Sequence, residues 1–277
     1  MSMTPDLRLL YLTDLHGDAE AYRRAAELAR VRELPWLVLG GDLLPKESGV
    51  LEAQAGFFDG FLRDWLAGLR GEGRGVWLQF GNDDCAGLLD RLDRLVDDGL
   101  ARRLDLGPAV LGDTGFTLLG YPFVPEYPFG LKDWVKLDYR GAPPSAQLGL
   151  PVLTGNGTLE VIPDLDDFFA GRPTIEEDLA ALPALDDPDR TVVVFHAPPS
   201  GCGLDLCWDG TEAGSRSIRR FLEERQPLLA LHGHIHESPE ESGVWQNRLG
   251  RTVVVQPGPR AVVVEVAGTG VGLERVG

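Results

Sequence analysis

Five short apolar runs in this chain each lead directly into glycine, acidic, amide or histidine residues. The runs cover residues 7–12, 36–39, 76–80, 192–195 and 228–231. Stretches rich in helix-forming residues separate several of them, at 19–32, about 51–69 and about 215–224. This alternation predicts an α/β fold. Because ligands of such folds bind outside the carboxyl ends of the strands, the polar residues after the runs predict one shared site.

The middle of the chain lacks this pattern. Residues from about 121 to 189 contain several prolines and acidic patches and no recognisable ligand motif. We expect this segment to be an insertion or cap over the cleft, or else an irregular connection. Two later apolar runs, 251–255 and 260–266, are expected to be strands that support the loops in which His196, His234 and His236 lie. The whole chain, 1–277, is then interpreted as a single domain with a possible insertion or cap at about 121–189.

The charge balance argues against two classes of partner. With 26 basic and 43 acidic residues the net charge is −17, which disfavours binding to nucleic acid and to anionic membranes. No stretch approaches the roughly 20 apolar residues that span a bilayer, and from the N-terminal residues we expect no signal peptide. Three cysteines are too few for a disulfide framework, and this favours a cytoplasmic protein.

The residues that follow the apolar runs are of the types that bind divalent metals. They include four of the five histidines and are Asp14, His16, Asp42, Asn82, His196, His234 and His236. Ions of the manganese, iron or zinc type accept carboxylate and imidazole ligands together. Two ions about 3.5–4 Å apart need a bridging carboxylate, and Asp42 suits that role because it follows a central strand and two glycines. Each motif alone is weak evidence, but their order favours a metal site over unrelated core histidines.

This ordered set resembles the calcineurin-like metallophosphoesterase superfamily, and the shared motifs extend from position 14 to position 236. Residues 214–237 and the pair at 257–258 are similar to a bacterial and archaeal branch of small phosphoesterases. The resemblance implies a four-layer α-β-β-α sandwich with a dinuclear metal site at one edge. It also implies in-line attack on phosphorus by a hydroxide that bridges the two metals.

The same resemblance implies a role for each candidate residue. The first metal is expected to bind Asp14, His16, Asp42 and His236. The second is expected to bind Asp42, Asn82, His196 and His234. The candidate catalytic residues are Asn82, Asp83 and His196.

One position departs from the family pattern. Many members have a histidine after Gly-Asn that stabilises or protonates the leaving group, and Asp83 takes its place here. Two nearby divalent ions are expected to lower the pKa of Asp83 and keep it ionised, which makes it a poor general acid. Asp83 is then either a charge at the mouth of the cleft or a turn residue that helps to start the helix after Cys85.

Two further residues are candidates for contacting substrate or supporting the ligands. His232 either faces the same side as His234 or packs behind the loop. Asp18 either holds a ligand or a water near the first metal, or caps the helix that follows it.

Together these features predict a metal-dependent phosphoesterase. A phosphodiesterase is favoured, because substrates with good leaving groups suit a site without a histidine acid. We expect two divalent ions (Mn, Fe or Zn), activity with manganese in vitro, a small phosphate ester as substrate, and no nucleic acid or membrane partner. A nuclease is the enzymatic alternative, and a scaffold protein with weak catalysis is the alternative from another class. The sequence carries no signal for the oligomeric state.

Overall fold

The computed structural model describes residues 6–155 and 157–277. The helices are α1 (Ala19–Val31), α2 (Val50–Phe57), α3 (Arg63–Gly71), α4 (Leu89–Asp97), α5 (Leu165–Ala170), α6 (Ile175–Ala180), α7 (Arg216–Arg225) and α8 (Ser238–Ser242). A π-helical segment, Phe58–Leu62, joins α2 to α3, and short 3-10 turns lie at Ala86–Leu88 and Pro188–Arg190. Within the described residues, no helix is long and apolar enough to cross a membrane.

The strands alternate with these helices along much of the chain. They are β1 (Leu7–Leu12), β2 (Trp36–Leu39), β3 (Gly75–Leu78), β4 (Arg102–Arg103), β5 (Ala109–Val110), β6 (Thr117–Tyr121), β7 (Val124–Pro125), β8 (Val135–Lys136), β9 (Val152–Leu153), β10 (Glu160–Val161), β11 (Thr191–Phe195), β12 (Leu229–Leu231), β13 (Gln246–Leu249), β14 (Thr252–Val255), β15 (Ala261–Ala267) and β16 (Gly270–Val276). The bounds of β1 and β2 are those expected from the sequence.

Two large sheets contain most of these strands. In the described part of the chain, the first sheet has the order β16-β15-β1-β2-β3-β4, with β1 to β4 parallel and β15 antiparallel to β1. The second sheet has the order β13-β14-β12-β11-β6-β5, with a parallel centre and antiparallel edge strands. The parallel centres bring the carboxyl ends of several strands to the same edge.

The central strands of each sheet are covered on both faces, and because successive side chains of a strand point to opposite faces, neighbouring residues belong to different buried clusters. Leu9 of β1 and Val192 of β11 belong to one buried cluster, which fills the space between the sheets. Leu10 packs in a second cluster with residues of α1, α3 and α4. Val193 packs in a third cluster with residues of α5, α6 and α7. The four-layer α-β-β-α sandwich predicted from the sequence is therefore confirmed.

The segment 121–189 divides between two parts of the molecule. Its helices α5 and α6 belong to the outer layer on the second sheet, where Phe169 and Ile175 are buried. Its earlier part contacts the loop after β3, since Trp134 Nε1 donates a hydrogen bond of 2.7 Å to the carbonyl of Asp84. That the segment caps a substrate stays a prediction.

Candidate metal centre

The loops after β1, β2, β3, β11 and β12 meet at one edge of the sandwich. Their backbones are joined directly: the Asp14 amide donates to the Gly41 carbonyl over 3.0 Å, and the Gly233 amide donates to the His196 carbonyl over 2.9 Å. Each loop follows a buried parallel strand, so its position is fixed by the sheet behind it. All seven residues predicted as metal ligands lie on these loops.

One group of potential ligand atoms gathers around the loop after β1. Asp14, His16 and Asp42 each offer an atom within 4.8 Å of the others. His16 Nε2 lies 3.9 Å from Asp42 Oδ2, and the rings of His16 and His236 are 5.7 Å apart between centroids. These four residues are the set predicted for the first metal. We call Asp14, His16 and His236 the first half of the site, and Asp42 is treated separately.

A second group gathers around Asn82. Its side-chain Oδ1 lies 3.0 Å from His196 Nε2 and 2.7 Å from His234 Nδ1. His196 Nε2 also lies 3.4 Å from Asp42 Oδ1. We call Asn82, His196 and His234 the second half of the site. Asp42 lies between the halves, with one carboxylate oxygen toward His16 and the other toward His196.

The backbone at four of these residues is in the left-handed region. Six non-glycine residues of the described chain have positive φ, and four of them are Asp14 (55°), His16 (43°), Asp42 (54°) and His234 (70°). This conformation costs about 1–3 kcal/mol for a residue with a Cβ, and it persists only where the surroundings enforce it. Concentration of that strain at the predicted ligands indicates a functional site.

Two glycines make room for His196. A Cβ at Gly41, where φ is 115°, would lie 2.7 Å from His196 Nδ1, and a Cβ at Gly81 would lie 2.6 Å from its Nε2. Both distances are shorter than any ordinary contact. The glycines before Asp42 and Asn82 therefore let both loops close on the imidazole.

The site concentrates buried ionisable groups. Burial raises the pKa of Asp14 to about 6, and burial together with the charge of Asp42 raises the pKa of Asp84 to about 7. Burial opposes charge on His196, but Asp42 outweighs it and raises the pKa of His196 to about 9. Burial thus disfavours the charged forms of Asp14 and Asp84, and a divalent cation bound nearby would favour them again.

Some buried polar atoms of the first half lack any partner. Asp14 Oδ2 and both ring nitrogens of His16 are buried, and they make no hydrogen bond within the described residues. Buried polar atoms in proteins nearly always have a partner. A carboxylate oxygen and an imidazole nitrogen aimed at the same place match the donor set of a divalent transition metal, so these residues fit a metal ion.

Asp84 is a positioning residue that sequence reasoning missed. Its buried carboxylate accepts hydrogen bonds from the amides of Leu43 (2.9 Å), Leu44 (2.8 Å) and Gly81 (2.8 Å). It thereby holds the loop of Asp42 against the loop of Asn82. In the sequence, Asp84 is the second of two adjacent acidic residues after Gly-Asn. Nothing in the sequence distinguishes its role from that of Asp83.

The structure corrects one interpretation of Asp83. The turn that begins at Ala86 is preceded by Cys85 and has no side-chain cap, so Asp83 does not start that helix. Its carboxylate instead forms an ion pair with Lys46, and the Asp83 side chain is 23% exposed. That position agrees with the other interpretation, a charge at the mouth of the cleft.

His232 and Asp18 occupy simple structural positions. His232 is fully buried, its Nδ1 lies 2.8 Å from the carbonyl of Phe195, and burial lowers its pKa to about 4. It packs behind the histidine loop. Asp18 is the N-cap of α1, where its carboxylate accepts from the amides of Glu20 and Ala21. A role toward metal or substrate stays a prediction for both.

Tyr127 is a second residue that sequence reasoning missed. Its ring centroid lies 5.8 Å from that of His234, and its hydroxyl donates to the carbonyl of Leu131 over 2.8 Å. It belongs to the segment without ligand motifs, and no local pattern distinguishes it from other aromatic residues.

The chain is similar to known proteins in family and in fold. A family model described as calcineurin-like phosphoesterase matches residues 7–238. A crystal structure of the protein TT1561 of Thermus thermophilus is 16% identical, covers 99% of this chain and 100% of that one, and has a TM-score of 0.54. A dimetal phosphatase from Danio rerio is 14% identical, covers 99% of this chain and 96% of that one, and has a TM-score of 0.53. At these identities the structural likeness supports the fold alone. No curated protein sequence matches significantly.

Proposed function

This chain belongs to the calcineurin-like phosphoesterase family, and from that premise we propose that it hydrolyses small phosphodiesters with two bound divalent metal ions. The observation that carries the proposal is the position of Asp42. Its two carboxylate oxygens face His16 at 3.9 Å and His196 at 3.4 Å, as a carboxylate shared by two ions must. A cytoplasmic setting and manganese as a supporting metal are parts of the same proposal.

The proposed ligands divide between the halves of the site. The first ion would bind Asp14, His16, Asp42 and His236, and the second would bind Asp42, Asn82, His196 and His234. Bound there, the ions would supply Lewis acidity, which lowers the pKa of water and neutralises charge on the phosphoryl oxygens.

The chain's own hydrogen bonds orient these ligands. His196 Nδ1 lies 3.0 Å from the carbonyl of Gly40, so its proton is held there and Nε2 is the atom left to bind a metal. The amide of His234 donates to Asp14 Oδ1 over 3.0 Å, which ties the histidine loop to the loop after β1. Such supporting bonds position the ligands before substrate arrives.

The absence of a histidine beside Asn82 supports a preference for good leaving groups. Asp83 occupies that position and pairs with Lys46. His232, the remaining histidine, is fully buried behind the loop, where its Nδ1 faces backbone carbonyls. Aryl phosphodiesters expel a weakly basic phenolate, and strained cyclic phosphodiesters release ring strain when the phosphorus–oxygen bond breaks. Both depend less on a general acid than alkyl monoesters do, so we propose them over alkyl monoesters.

A manganese-supplemented panel of esters tests this proposal. Bis-p-nitrophenyl phosphate should be hydrolysed faster than p-nitrophenyl phosphate, and Asp42→Asn should abolish both activities. Strong cleavage of single-stranded DNA with negligible diester hydrolysis would instead assign the chain as a nuclease. Fewer than about one bound transition metal per chain, with no activity on any ester, would assign it as a scaffold.

A further inference from the structure

Lys46 is a cation at the mouth of the candidate metal centre, to which the sequence motifs assign no role. Only three of the 26 basic residues of the chain are lysines. Lys132 and Lys136 are buried or nearly so in ion pairs with Glu126 and Asp178. Lys46 differs from them because its side chain is 44% exposed while its ammonium pairs with Asp83.

A buried frame holds this ion pair in place. The side chain of Gln54 is fully buried, and its Nε2 donates to the carbonyls of Pro45 (3.1 Å) and Asp83 (2.7 Å). Its Oε1 accepts from the amide of Cys85 over 2.8 Å. Gln54 therefore joins the residue before Lys46 to the residue that pairs with it. Exposed ion pairs are usually mobile, but the backbones on both sides of this one are fixed.

The partner of Lys46 is joined to the centre of the site by hydrogen bonds. The backbone amide of Asp83 donates to Asp42 Oδ1 over 2.8 Å, and Asn82 Nδ2 donates to Asp83 Oδ1 over 3.1 Å. The carbonyl of Asp42 in turn accepts from the amide of His16 over 2.9 Å. The ion pair with Asp83 therefore holds the ammonium of Lys46 beside the carboxylate that lies between the halves, where we expect a substrate phosphate.

The chemistry of an ammonium suits that space. A lysine has three N–H donors, and within residues 6–155 and 157–277 Asp83 is its one ion-pair partner. Four buried or partly buried carboxylates surround the centre, from Asp14, Asp42, Asp83 and Asp84. An anionic substrate that approaches them needs positive charge from the chain in addition to the metals.

We infer that Lys46, anchored by Asp83, donates to a non-bridging oxygen of the substrate phosphate and stabilises its charge in the transition state. This inference rests on the proposed function. It also explains why an acidic residue, Asp83, can follow Gly-Asn in place of the family's histidine, because Asp83 holds a cation at that site. Lysine acts there as a compact point charge for phosphate.

The test compares Lys46→Met, Lys46→Arg and a matched control, Arg220→Met, in manganese-loaded protein. Arg220 is 64% exposed and pairs with Glu176 and Glu224 on the outer layer, so its loss changes net charge without touching the site. Calorimetric titration with inorganic phosphate should show binding weakened about 10- to 100-fold in Lys46→Met, the loss expected for one charge-assisted hydrogen bond. Lys46→Arg should retain most of the affinity, and the control should match wild type.

Metal content, Tm and kcat/KM for bis-p-nitrophenyl phosphate complete the experiment. The inference expects unchanged metal content and Tm in Lys46→Met, with kcat/KM lowered by at least the same factor as phosphate affinity. Unchanged phosphate affinity, or a loss explained by lost metal, would overturn it. A wild-type protein that binds metal and hydrolyses no ester would refute the proposed function, while the phosphate titration would still decide the role of Lys46.

Discussion

The two halves of the candidate metal centre differ in how their polar atoms are satisfied. In the second half, Asn82 Oδ1 contacts both His196 and His234 within 3.0 Å. In the first half, both ring nitrogens of His16 and one oxygen of Asp14 are buried with no hydrogen-bond partner in the described chain. The polar atoms of the second half thus contact one another, whereas the unpartnered atoms of the first half would be satisfied by a bound metal ion.

The most buried imidazole lies in the second half and the most exposed one in the first. His196 is fully buried, while the side chains of His16 and His236 are 21% and 46% exposed. Asp42 lies between the halves and is buried. The halves therefore differ in their hydrogen bonds on either side of Asp42, and this difference predicts different responses to substitution.

Substitution of Asp42, which lies between the halves, is expected to reduce metal content and activity most. Asp42→Asn removes the carboxylate that both halves share, so it should reduce metal content in both and lower kcat/KM by about 1,000-fold or more. Elemental analysis of purified variants and hydrolysis of bis-p-nitrophenyl phosphate measure this. A variant that keeps two metals and a tenth of the activity would show that Asp42 is not shared.

A contrast between two alanine variants in metal-free protein comes next. His196→Ala removes a buried ring with contacts to Gly40 and Asn82 and should lower the free energy of unfolding by about 2–4 kcal/mol. His16→Ala removes ring atoms that bond to nothing in the chain, so its effect should be within about 0.5 kcal/mol. Urea denaturation of chelator-treated protein measures both changes. Equal decreases in the free energy of unfolding would contradict the difference between the halves.

The smallest expected effect is a difference between the rates at which a chelator removes the two metal ions. Because His236 is the one exposed residue among the seven candidate ligands, a chelator should remove one equivalent of manganese faster than the other. His236→Ala should speed the fast phase and leave the slow phase unchanged. Release followed with a colorimetric indicator measures the phases, and a single phase for both equivalents would contradict the comparison.

That the candidate ligand residues lie close together could be predicted from the sequence, because a local rule places them. Each follows a buried parallel strand, and such strands end at one edge of a sheet. Asp14 and His234 are 220 positions apart in sequence, yet the His234 amide contacts the Asp14 carboxylate. The alternation of strands and helices, with these residues at strand ends, was sufficient to predict that they lie close together.

The supporting residues could not be predicted in the same way. Gln54 lies on α2, and its three contacts are to loops elsewhere in the chain. Tyr127 lies in an irregular segment, where spacing carries no information about which side chains meet. Their roles depend on contacts between distant segments, and neither residue type nor local periodicity encodes those contacts.

The edge strand of the first sheet likewise could not be predicted from its own residues. The strand β16 (Gly270–Val276) has no fully buried residue and contains two glycines, so it lacks the apolar run that identified β1 and β2. It forms because β15 offers it an antiparallel partner over its whole length. The two-residue strands β4 and β5 likewise depend on longer neighbours.

Anomalous diffraction from crystals grown with manganese tests whether two metal ions share Asp42. We predict two manganese peaks about 3.5–4 Å apart, one beside His16 and His236 and the other beside His196 and His234, with the Asp42 carboxylate between them. A single peak, or two peaks that do not share Asp42, would contradict it.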